Sequence, residues 1–567
     1  MVSKICYLLL LMHVMAGKHT PKGLLCRICE SFQAQVSVMI TAKRHVAVHI
    51  GTAICKVGLA SDFCKYFVGT FVDDIFINKA DYVMQTNYIC SEMFNFCDKN
   101  SMPYDFTKFK DDFNAKYPPR GVKKKSRGIG FKMLVLNDIH IQNDYAYKAN
   151  TDCGEIGGCC SNSHAPPKKK ENEAGYWGTI DKNCDIPPRT FDSTVKYIKE
   201  NLDKPDFLVV LGDNYGHNYF RTSEKELVDT NKYVYDTLKS NFPDTIILPV
   251  LGNHECHPVD HLDFKDPDNF VYKYLYPIFE EFIGAEQLER LKKNGYYALT
   301  YPKYNVKVIQ INTQMKDAFN GDLMADNTNP LSFFDHIGEE FYQSELIGEK
   351  IIILTHIPIG SISDIDDFDT NLKVVIERFS HVIMGTLSGH THKDSFVFVK
   401  NEYNDIVAVN HVSPSLTTLG SLNPSFRVYA FEDEFMQDYL QYVLDLNRHN
   451  QLAEQGNFTL IYNLNYRFKD AYQLNSWGGA KDYKELHDKV FYEEYFTRLF
   501  SYNHVPSVTA IDDHKIQPSA LCDNFDSARK NFSCRQRTGD IYLALLVRRL
   551  FRYIFVEPWR TPVANII

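Results

Sequence analysis

Five short apolar runs mark the middle of the chain, and each is bounded by glycine, proline or polar residues. Runs of this length with such flanks are typical of buried strands. Each lies beside a polar segment rich in Asp, Asn and His. The five pairs are Met133–Leu136 with NDIH, Phe207–Leu211 with GDNYGHN, Ile246–Leu251 with GNHE, Ile351–Leu354 with THIP, and Val382–Met384 with GHTH. Because ligands of layered α/β sheets bind at strand carboxyl ends, the repetition predicts an α/β domain with one site.

Helical periodicity dominates elsewhere. Residues 25–39 carry apolar side chains at spacings of three and four, which predicts an N-terminal helical unit. Residues 191–202 repeat that stripe between the first two strands, so we assign them to a core helix. Residues 541–556 are interrupted by three arginines. This segment is therefore expected to be a packed or interfacial amphipathic helix.

The N-terminus has the organisation of a secretory signal peptide, which we place at residues 1–19. Lys4 precedes an apolar core from Ile5 to Ala16, and small residues follow. A secreted or lysosomal protein is therefore expected. Two N-glycosylation triplets, at Asn457 and Asn531, fit that route.

Composition gives bounds on the partners. The 567 residues carry a net charge of -9 with a pI near 6.1, which gives no general case for nucleic acid. Beyond the signal peptide, no stretch of about 20 uninterrupted apolar residues predicts a membrane span.

We divide the chain into a helical domain (20–101), a linker (102–130), an α/β domain (131–464) and a helical C-terminal domain (465–567).

Six of the fourteen cysteines lie between residues 20 and 100, beyond the signal peptide of this secreted chain, where disulfides persist. They are Cys26, Cys29, Cys55, Cys64, Cys90 and Cys97. Six cysteines allow fifteen pairings, and the Cys-x-x-Cys at Cys26 is also compatible with a zinc or redox motif.

The candidate ligands of the α/β domain combine oxygen donors with four imidazoles. They are Asp138, His140, Asp213, Asn253, His356, His390 and His392. A single Asp or His of this kind is more often a helix cap or a solvated side chain. Seven donors are too many for one tetrahedral ion and suit two ions with a bridging carboxylate. Two ions about 3.5–4 Å apart can clamp the attacking and leaving oxygens of a phosphoryl displacement.

These blocks resemble the calcineurin-like metallophosphoesterase signature, which implies an α/β/β/α sandwich. By that resemblance Asp138, His140 and His392 hold one ion. The second is held by Asn253, His356 and His390, and Asp213 bridges the two. A hydroxide between the ions is then the nucleophile, and zinc is the metal expected from the family.

The proton for the leaving alkoxide is expected from a histidine. The candidates are His217, four residues past Asp213, and His254, directly after Asn253. Either could instead orient phosphate oxygens, so the assignment stays open between them.

The N-terminal cysteine order, with its amphipathic helices, resembles a saposin B-type domain. That resemblance implies the pairs Cys26–Cys97, Cys29–Cys90 and Cys55–Cys64, and an apolar surface that opens toward lipid. A packing or folding appendage is the alternative.

The segments TDCGEIGGCC (151–160) and YWGTIDKNCDIPPRTFDS (176–193) resemble the acid sphingomyelinase family. The resemblance implies the bridges Cys153–Cys159 and Cys160–Cys184. It further implies hydrolysis of sphingomyelin to ceramide and phosphocholine, with peripheral membrane contact through the saposin-like domain. Cys522 and Cys534 are placed to bridge, whereas Cys256 has no obvious partner.

Three other functions are alternatives for a chain with this pattern. Purple acid phosphatases carry a tyrosine three positions after the bridging aspartate, where this chain has Gly216, so that class is disfavoured. A phosphodiesterase of the same fold could act on nucleotides or other phosphodiesters. A lipid-binding protein with an inactive site is the third, and the intact ligand set argues against it.

Overall fold

The computed structural model describes residues 106–120 and 128–493 with short gaps, a few N-terminal positions, and residue 499. The gaps are 156, 181, 318–319, 321, 324–328, 360–365, 402 and 433, and the N-terminal positions are 26–27, 49, 52–53, 56, 61–66 and 68. The chain divides into two compact units. One comprises Met1–Tyr104, Gly321–Ala325 and Asn531–Ile567, and the other comprises Asp105–Asn320 and Asp326–Lys530.

The first unit is described at few positions. Helix α1 spans Ser61–Tyr66. Cys26 and Cys64 are each disulfide-bonded, as expected for this unit, but the pairings themselves lie outside the described residues. The same holds for the signal peptide, for the C-terminal pair Cys522 and Cys534, and for the Asn531 triplet, all of which stay predictions.

The second unit contains two six-stranded sheets. The strands are β1 Phe131–Leu136, β2 Phe207–Val210, β3 Ile246–Pro249, β4 Tyr296–Tyr301, β5 Val306–Ile311, β6 Lys350–Thr355, β7 Ile383–Ser388, β8 Ser395–Lys400, β9 Ile406–Val412, β10 Ser425–Glu432, β11 Phe435–Leu444 and β12 Tyr462–Arg467. The first sheet has the order β12-β11-β10-β1-β2-β3, and the second has the order β4-β5-β6-β7-β9-β8. The predicted mixed α/β class is confirmed.

Parallel pairing in both sheets brings the predicted site segments to common edges. In the first sheet β1 pairs in parallel with β2, and β2 with β3. In the second sheet β6 pairs in parallel with β5 and β7. Since the carboxyl ends of parallel strands meet at one edge, the segments after β1, β2 and β3 become neighbours, as do those after β6 and β7.

Side chains alternate across β6 and divide the apolar core into two layers. Ile352 and Leu354 belong to the large cluster that also contains the strands of the first sheet. Ile351 and Ile353 belong to a second cluster with Phe341 and other side chains of the covering helices. Because successive residues of a strand face opposite sides, one strand serves both layers. The sheets therefore pack on one another with helices outside.

Ten helices of this unit are described. They are α2 Phe106–Lys116, α3 Pro188–Asn201, α4 Glu224–Asn241, α5 Tyr276–Ile283, α6 Ala285–Asn294, α7 Phe333–Ile347, α8 Asp366–Phe379, α9 Leu446–Glu454, α10 Phe468–Ala471 and α11 Ala480–Tyr492. Helix α3 buries the predicted stripe Phe191, Val195 and Ile198. In the described part of the chain, every helix falls short of the length and apolarity needed to cross a bilayer.

Two predicted domain boundaries differ from the structure. The predicted linker 102–130 contains helix α2, which packs Phe113 against Phe379 of the second unit. The predicted boundary at residue 465 falls inside β12, which pairs with β11. In the first place Pro118, Pro119 and the lysines at 123–125 indicated a linker, although Phe106, Phe109 and Phe113 repeat at helical spacing just before them.

We expect Phe113→Ala to destabilise the second unit by about 3–5 kcal/mol, because a fully packed ring leaves a cavity. The change is measured as the urea midpoint of the tryptophan fluorescence transition. Lys108→Ala, on the exposed face of the same helix, is the matched control. If residues 102–130 acted only as a linker, both variants would unfold at the wild-type midpoint.

Candidate metal centre

The carboxylate of Asp213 lies at the centre of the predicted site. Its Oδ2 atom is 3.5 Å from Nε2 of His140 and 3.2 Å from Nε2 of His356. These imidazoles come from different sheets, since His140 follows β1 and His356 follows β6. One carboxylate oxygen therefore stands between two groups of potential ligands.

The remaining predicted ligands complete these two groups. On one side, Nε2 of His140 is 3.1 Å from Nε2 of His392, and Oδ1 of Asp138 is 3.7 and 3.5 Å from those two atoms. On the other side, Oδ1 of Asn253 is 2.9 Å from Nε2 of His356 and 3.0 Å from Nδ1 of His390. The structure thus brings all seven predicted side chains together.

Hydrogen bonds outside the cluster fix which ring nitrogens face it. Nδ1 of His140 donates to the carbonyl of Tyr215 at 2.8 Å, and Nδ1 of His356 donates to the carbonyl of Leu211 at 2.7 Å. In a neutral ring this leaves a lone pair on Nε2, directed at other acceptors. Oδ1 of Asp138 is buried without a hydrogen-bond partner among the described residues. Nitrogen and oxygen atoms that face one another with lone pairs and no hydrogen between them are the arrangement that a bound cation satisfies.

Five of the seven predicted ligands have a left-handed backbone, which non-glycine residues rarely adopt. Their φ values are 45° for Asp138, 46° for His140, 58° for Asp213, 69° for His390 and 63° for His392. Each such residue costs of order 1–3 kcal/mol, and such strain concentrates at functional sites. The site segments therefore hold these side chains against the local preference of the backbone.

Gly212 allows the Asp213 segment of the first sheet to lie close to His356 of the second sheet. Its φ is +97°, and a Cβ atom there would lie 2.6 Å from the backbone nitrogen of Gly252 and 3.0 Å from Nδ1 of His356. Any other residue would push the Asp213 segment away from His356.

Burial shapes the charge of the cluster. It lowers the pKa values of His390 and His392 to about 3, with further lowering by neighbouring imidazoles. Burial also raises the pKa of Asp138 to about 8. At His356 burial lowers the pKa, but the negative charge of Asp213 outweighs this effect and raises the pKa to about 10. Most imidazoles are thus neutral, the form that binds metal.

The two predicted proton donors lie beside this cluster. The His217 ring is centred 4.0 Å from the His140 ring, and the His254 ring 4.6 Å from it. The backbone nitrogen of His254 donates to Oδ1 of Asp213 at 2.8 Å. Nδ1 of His254 is buried and lacks a partner within the described structure.

Sequence reasoning missed several carboxylates at the site, among them Asp185 and Glu255. Asp185 accepts from the backbone nitrogen of His217 at 2.6 Å, and both its oxygens lie 3.0 Å from Nδ1 of that ring. Glu255 accepts from the backbone nitrogens of Asp213, Asn214 and Gly252 at 2.7, 2.7 and 2.8 Å. Glu255 could have been identified as the last residue of the GNHE block. Asp185 stands in no such block, and only its neighbour Cys184 was singled out in the sequence.

The predicted bridges Cys153–Cys159 and Cys160–Cys184 are both present, with Cα separations of 5.5 and 5.8 Å. The loop closed by the first bridge reaches the site, because a Cβ on Gly157 would lie 2.2 Å from Cβ of His217. Of the cysteines in the described residues, Cys256 is free and buried, as the sequence suggested.

Tyr215 lies one residue before Gly216, the position of the tyrosine ligand in purple acid phosphatases. Its hydroxyl donates to Glu226 at 3.3 Å.

Comparison with known proteins gives the class of this site. Residues 131–394 match the calcineurin-like phosphoesterase family. They form a calcineurin-like metallophosphoesterase domain, and the chain is a metal-dependent phosphoesterase.

Curated relatives match a longer part of the chain. Sphingomyelin phosphodiesterase 2 of Caenorhabditis elegans is 26% identical over 427 residues, covering 69% of this chain and 68% of that protein. Sphingomyelin phosphodiesterase A of Dictyostelium discoideum is 28% identical over 426 residues, covering 72% and 69%. A human cyclic GMP-AMP phosphodiesterase is 25% identical over 406 residues, covering 68% and 86%. The chain is a homologue of the sphingomyelin phosphodiesterases.

We expect metal loading to release protons. With pKa values of about 8 and about 10, Asp138 and His356 both hold a proton at pH 7 in the metal-free protein. An ion must displace those protons, so affinity weakens as the pH falls. A pH indicator in weakly buffered protein titrated with zinc measures the release.

Asp138→Asn removes one titrating group and should release fewer protons at pH 7. Asp203→Asn, which changes an exposed carboxylate, is the matched control and should behave as wild type. Equal release by all three proteins would contradict the assignment.

Proposed function

We propose that the protein hydrolyses sphingomyelin to ceramide and phosphocholine with two zinc ions. The observation that carries the proposal is the position of Asp213 Oδ2 between His140 and His356. Asp138, His140 and His392 would hold one ion. Asn253, His356 and His390 would hold the other, with Asp213 shared. Two such ions supply a nucleophile at neutral pH and charge neutralisation for an in-line phosphoryl displacement.

The chain's own residues preorganise this site. Tyr215 and Leu211 carbonyls fix the rings of His140 and His356. Glu255 fixes the backbone that carries Asp213. Ligands held in place before the substrate arrives need no reorganisation during the reaction, which is where electrostatic catalysis gains most.

We assign the leaving-group proton to His217. Asp185 accepts from its Nδ1, which leaves Nε2 as the donor toward the reacting group. Although burial lowers the pKa of His217, the Asp185 carboxylate raises it above its usual value. Burial lowers the pKa of His254 to about 4. A neutral His254 suits a hydrogen-bonding role toward phosphate oxygens better than a proton-donating one.

Sphingomyelin is favoured as the substrate by two features. Several homologues from distant organisms are named as sphingomyelin phosphodiesterases. Residues 20–100 carry six cysteines in a pattern that resembles a saposin B-type domain. That domain would contact the bilayer and loosen the lipid. The expected secreted or lysosomal location is consistent with exposed Asn457 as a glycan acceptor.

A phosphodiesterase for nucleotides is the second candidate, because the human cyclic GMP-AMP phosphodiesterase is also a homologue. A lipid-binding protein with an inactive site is the third. The complete set of converging donors opposes it, since an inactive site has no reason to retain strained ligands.

The purified protein should hydrolyse sphingomyelin liposomes and a soluble aryl phosphodiester, and a chelator should abolish both activities. Hydrolysis of the soluble substrate alone would favour the nucleotide-type enzyme. Hydrolysis of neither by zinc-loaded protein would favour the binding protein. Deletion of residues 20–100 should reduce lipid turnover and spare the soluble substrate.

Asp185→Asn should lower kcat by about 10- to 100-fold, because a hydrogen bond to a charged group contributes about 1.5–3 kcal/mol. The acid form of His217 is needed, so activity falls as the pH rises through its pKa. Loss of the Asp185 charge lowers that pKa, and the basic limb of the kcat–pH profile should move to lower pH. An unmoved basic limb would contradict the assignment, and Asp203→Asn is the control.

A further inference from the structure

Asn253 uses the two ends of its amide differently. Its Oδ1 faces Nε2 of His356 at 2.9 Å and Nδ1 of His390 at 3.0 Å. Its Nδ2 donates to Oδ1 of Asp260 at 2.8 Å. Only the oxygen of an amide can bind a cation, because the NH2 group offers donors alone. A rotation of the amide by 180° would replace a ligand by two N–H groups.

Asp260 is itself held in place by the backbone. Its nitrogen donates to the carbonyl of Asn253 at 3.2 Å, which closes the turn between the two residues. Its φ is 67°, in the left-handed region. Just beyond it, the backbone of Leu262 bonds in both directions with the side chain of Asn320, at 3.3 and 3.2 Å. The carboxylate therefore meets the Asn253 amide from a fixed position.

We propose that Asp260 is a positioning residue that fixes the amide of Asn253 with its oxygen toward the metal ions. The inference rests on the proposed metal centre and deepens it. An ionised carboxylate accepts hydrogen bonds but donates none, so it stabilises one amide orientation and opposes the flipped one. Partners of this kind typically change metal affinity or activity by about 10- to 100-fold when removed.

Charge alone would predict a different outcome from orientation. The Asp260 carboxylate, like that of Asp213, adds negative potential near the ions. If only that potential mattered, any variant without the charge would bind metal more weakly. Asp260→Asn removes the charge but keeps an oxygen that can accept from Nδ2 of Asn253. Asp260→Ala removes both. If orientation is what matters, the Asn variant keeps most of the metal affinity and the Ala variant loses about 10- to 100-fold.

A double-mutant cycle with Asn253→Asp gives the sharpest test. A carboxylate at position 253 has two equivalent oxygens and no NH2 group, so it needs no orienting partner, and Asp260 then repels it. Asp260→Ala should therefore weaken zinc binding when residue 253 is Asn and strengthen it when residue 253 is Asp. Zinc retained per chain in competition with a chelator measures both arms on the full-length protein.

A reversal of sign between the two backgrounds supports the proposal. Weakening in both backgrounds, or no effect in either, overturns it, since a purely structural turn would not depend on the chemistry of residue 253. Asp268→Ala, an exposed carboxylate in the same segment, is the control. Circular dichroism melting shows whether Asp260→Ala folds. If it does not, Asp260→Asn replaces it and is measured alone and together with Asn253→Asp.

The two proposals fail in different ways. Wild-type protein that retains no zinc would overturn the metal centre itself. Wild-type protein that retains zinc, with Asp260→Ala unchanged in both affinity and kcat, would overturn only the role of Asp260.

Discussion

The contact that organises the catalytic domain is one that is only partly satisfied in the absence of a cation. Oδ2 of Asp213 points at Nε2 of His140, which carries a lone pair, and at Nε2 of His356, which holds a proton in the metal-free protein. Backbone carbonyls prevent both rings from turning away. Buried acceptors that face acceptors lose their hydration without regaining hydrogen bonds. In the metal-free protein protons on His356 and Asp138 relieve part of this cost, and divalent ions relieve it more fully.

The two sheets are needed because one sheet cannot surround such a pair of ions. β1, β2 and β3 deliver Asp138, His140, Asp213 and Asn253 from one side, and β6 and β7 deliver His356, His390 and His392 from the other. The left-handed residues after these strands turn the side chains inward over very short segments. The strain is small beside the apolar burial of the shared core, so the fold can sustain it.

The sequence predicted the parts of this arrangement that rest on local pattern. Apolar runs bounded by glycine marked the strands, and the polar segments beside them contained all seven residues that converge. It did not predict helix α2 or the continuation of the sheet through residue 465. Nor did it identify Asp185, because a carboxylate that acts through His217 is defined by spatial contact and has no spacing along the chain.

The supporting carboxylates share one chemical property that explains their number. Glu255 accepts from three backbone nitrogens and Asp185 from His217, while Asp260 accepts from Asn253. Glu255 thereby fixes the backbone that carries Asp213, whereas Asp185 and Asp260 each accept from one end of a side chain and so leave its other end to face the cluster. The same three charges also matter electrostatically, because two divalent ions bring more positive charge than Asp138 and Asp213 neutralise. Orientation and charge balance thus favour the same residue type.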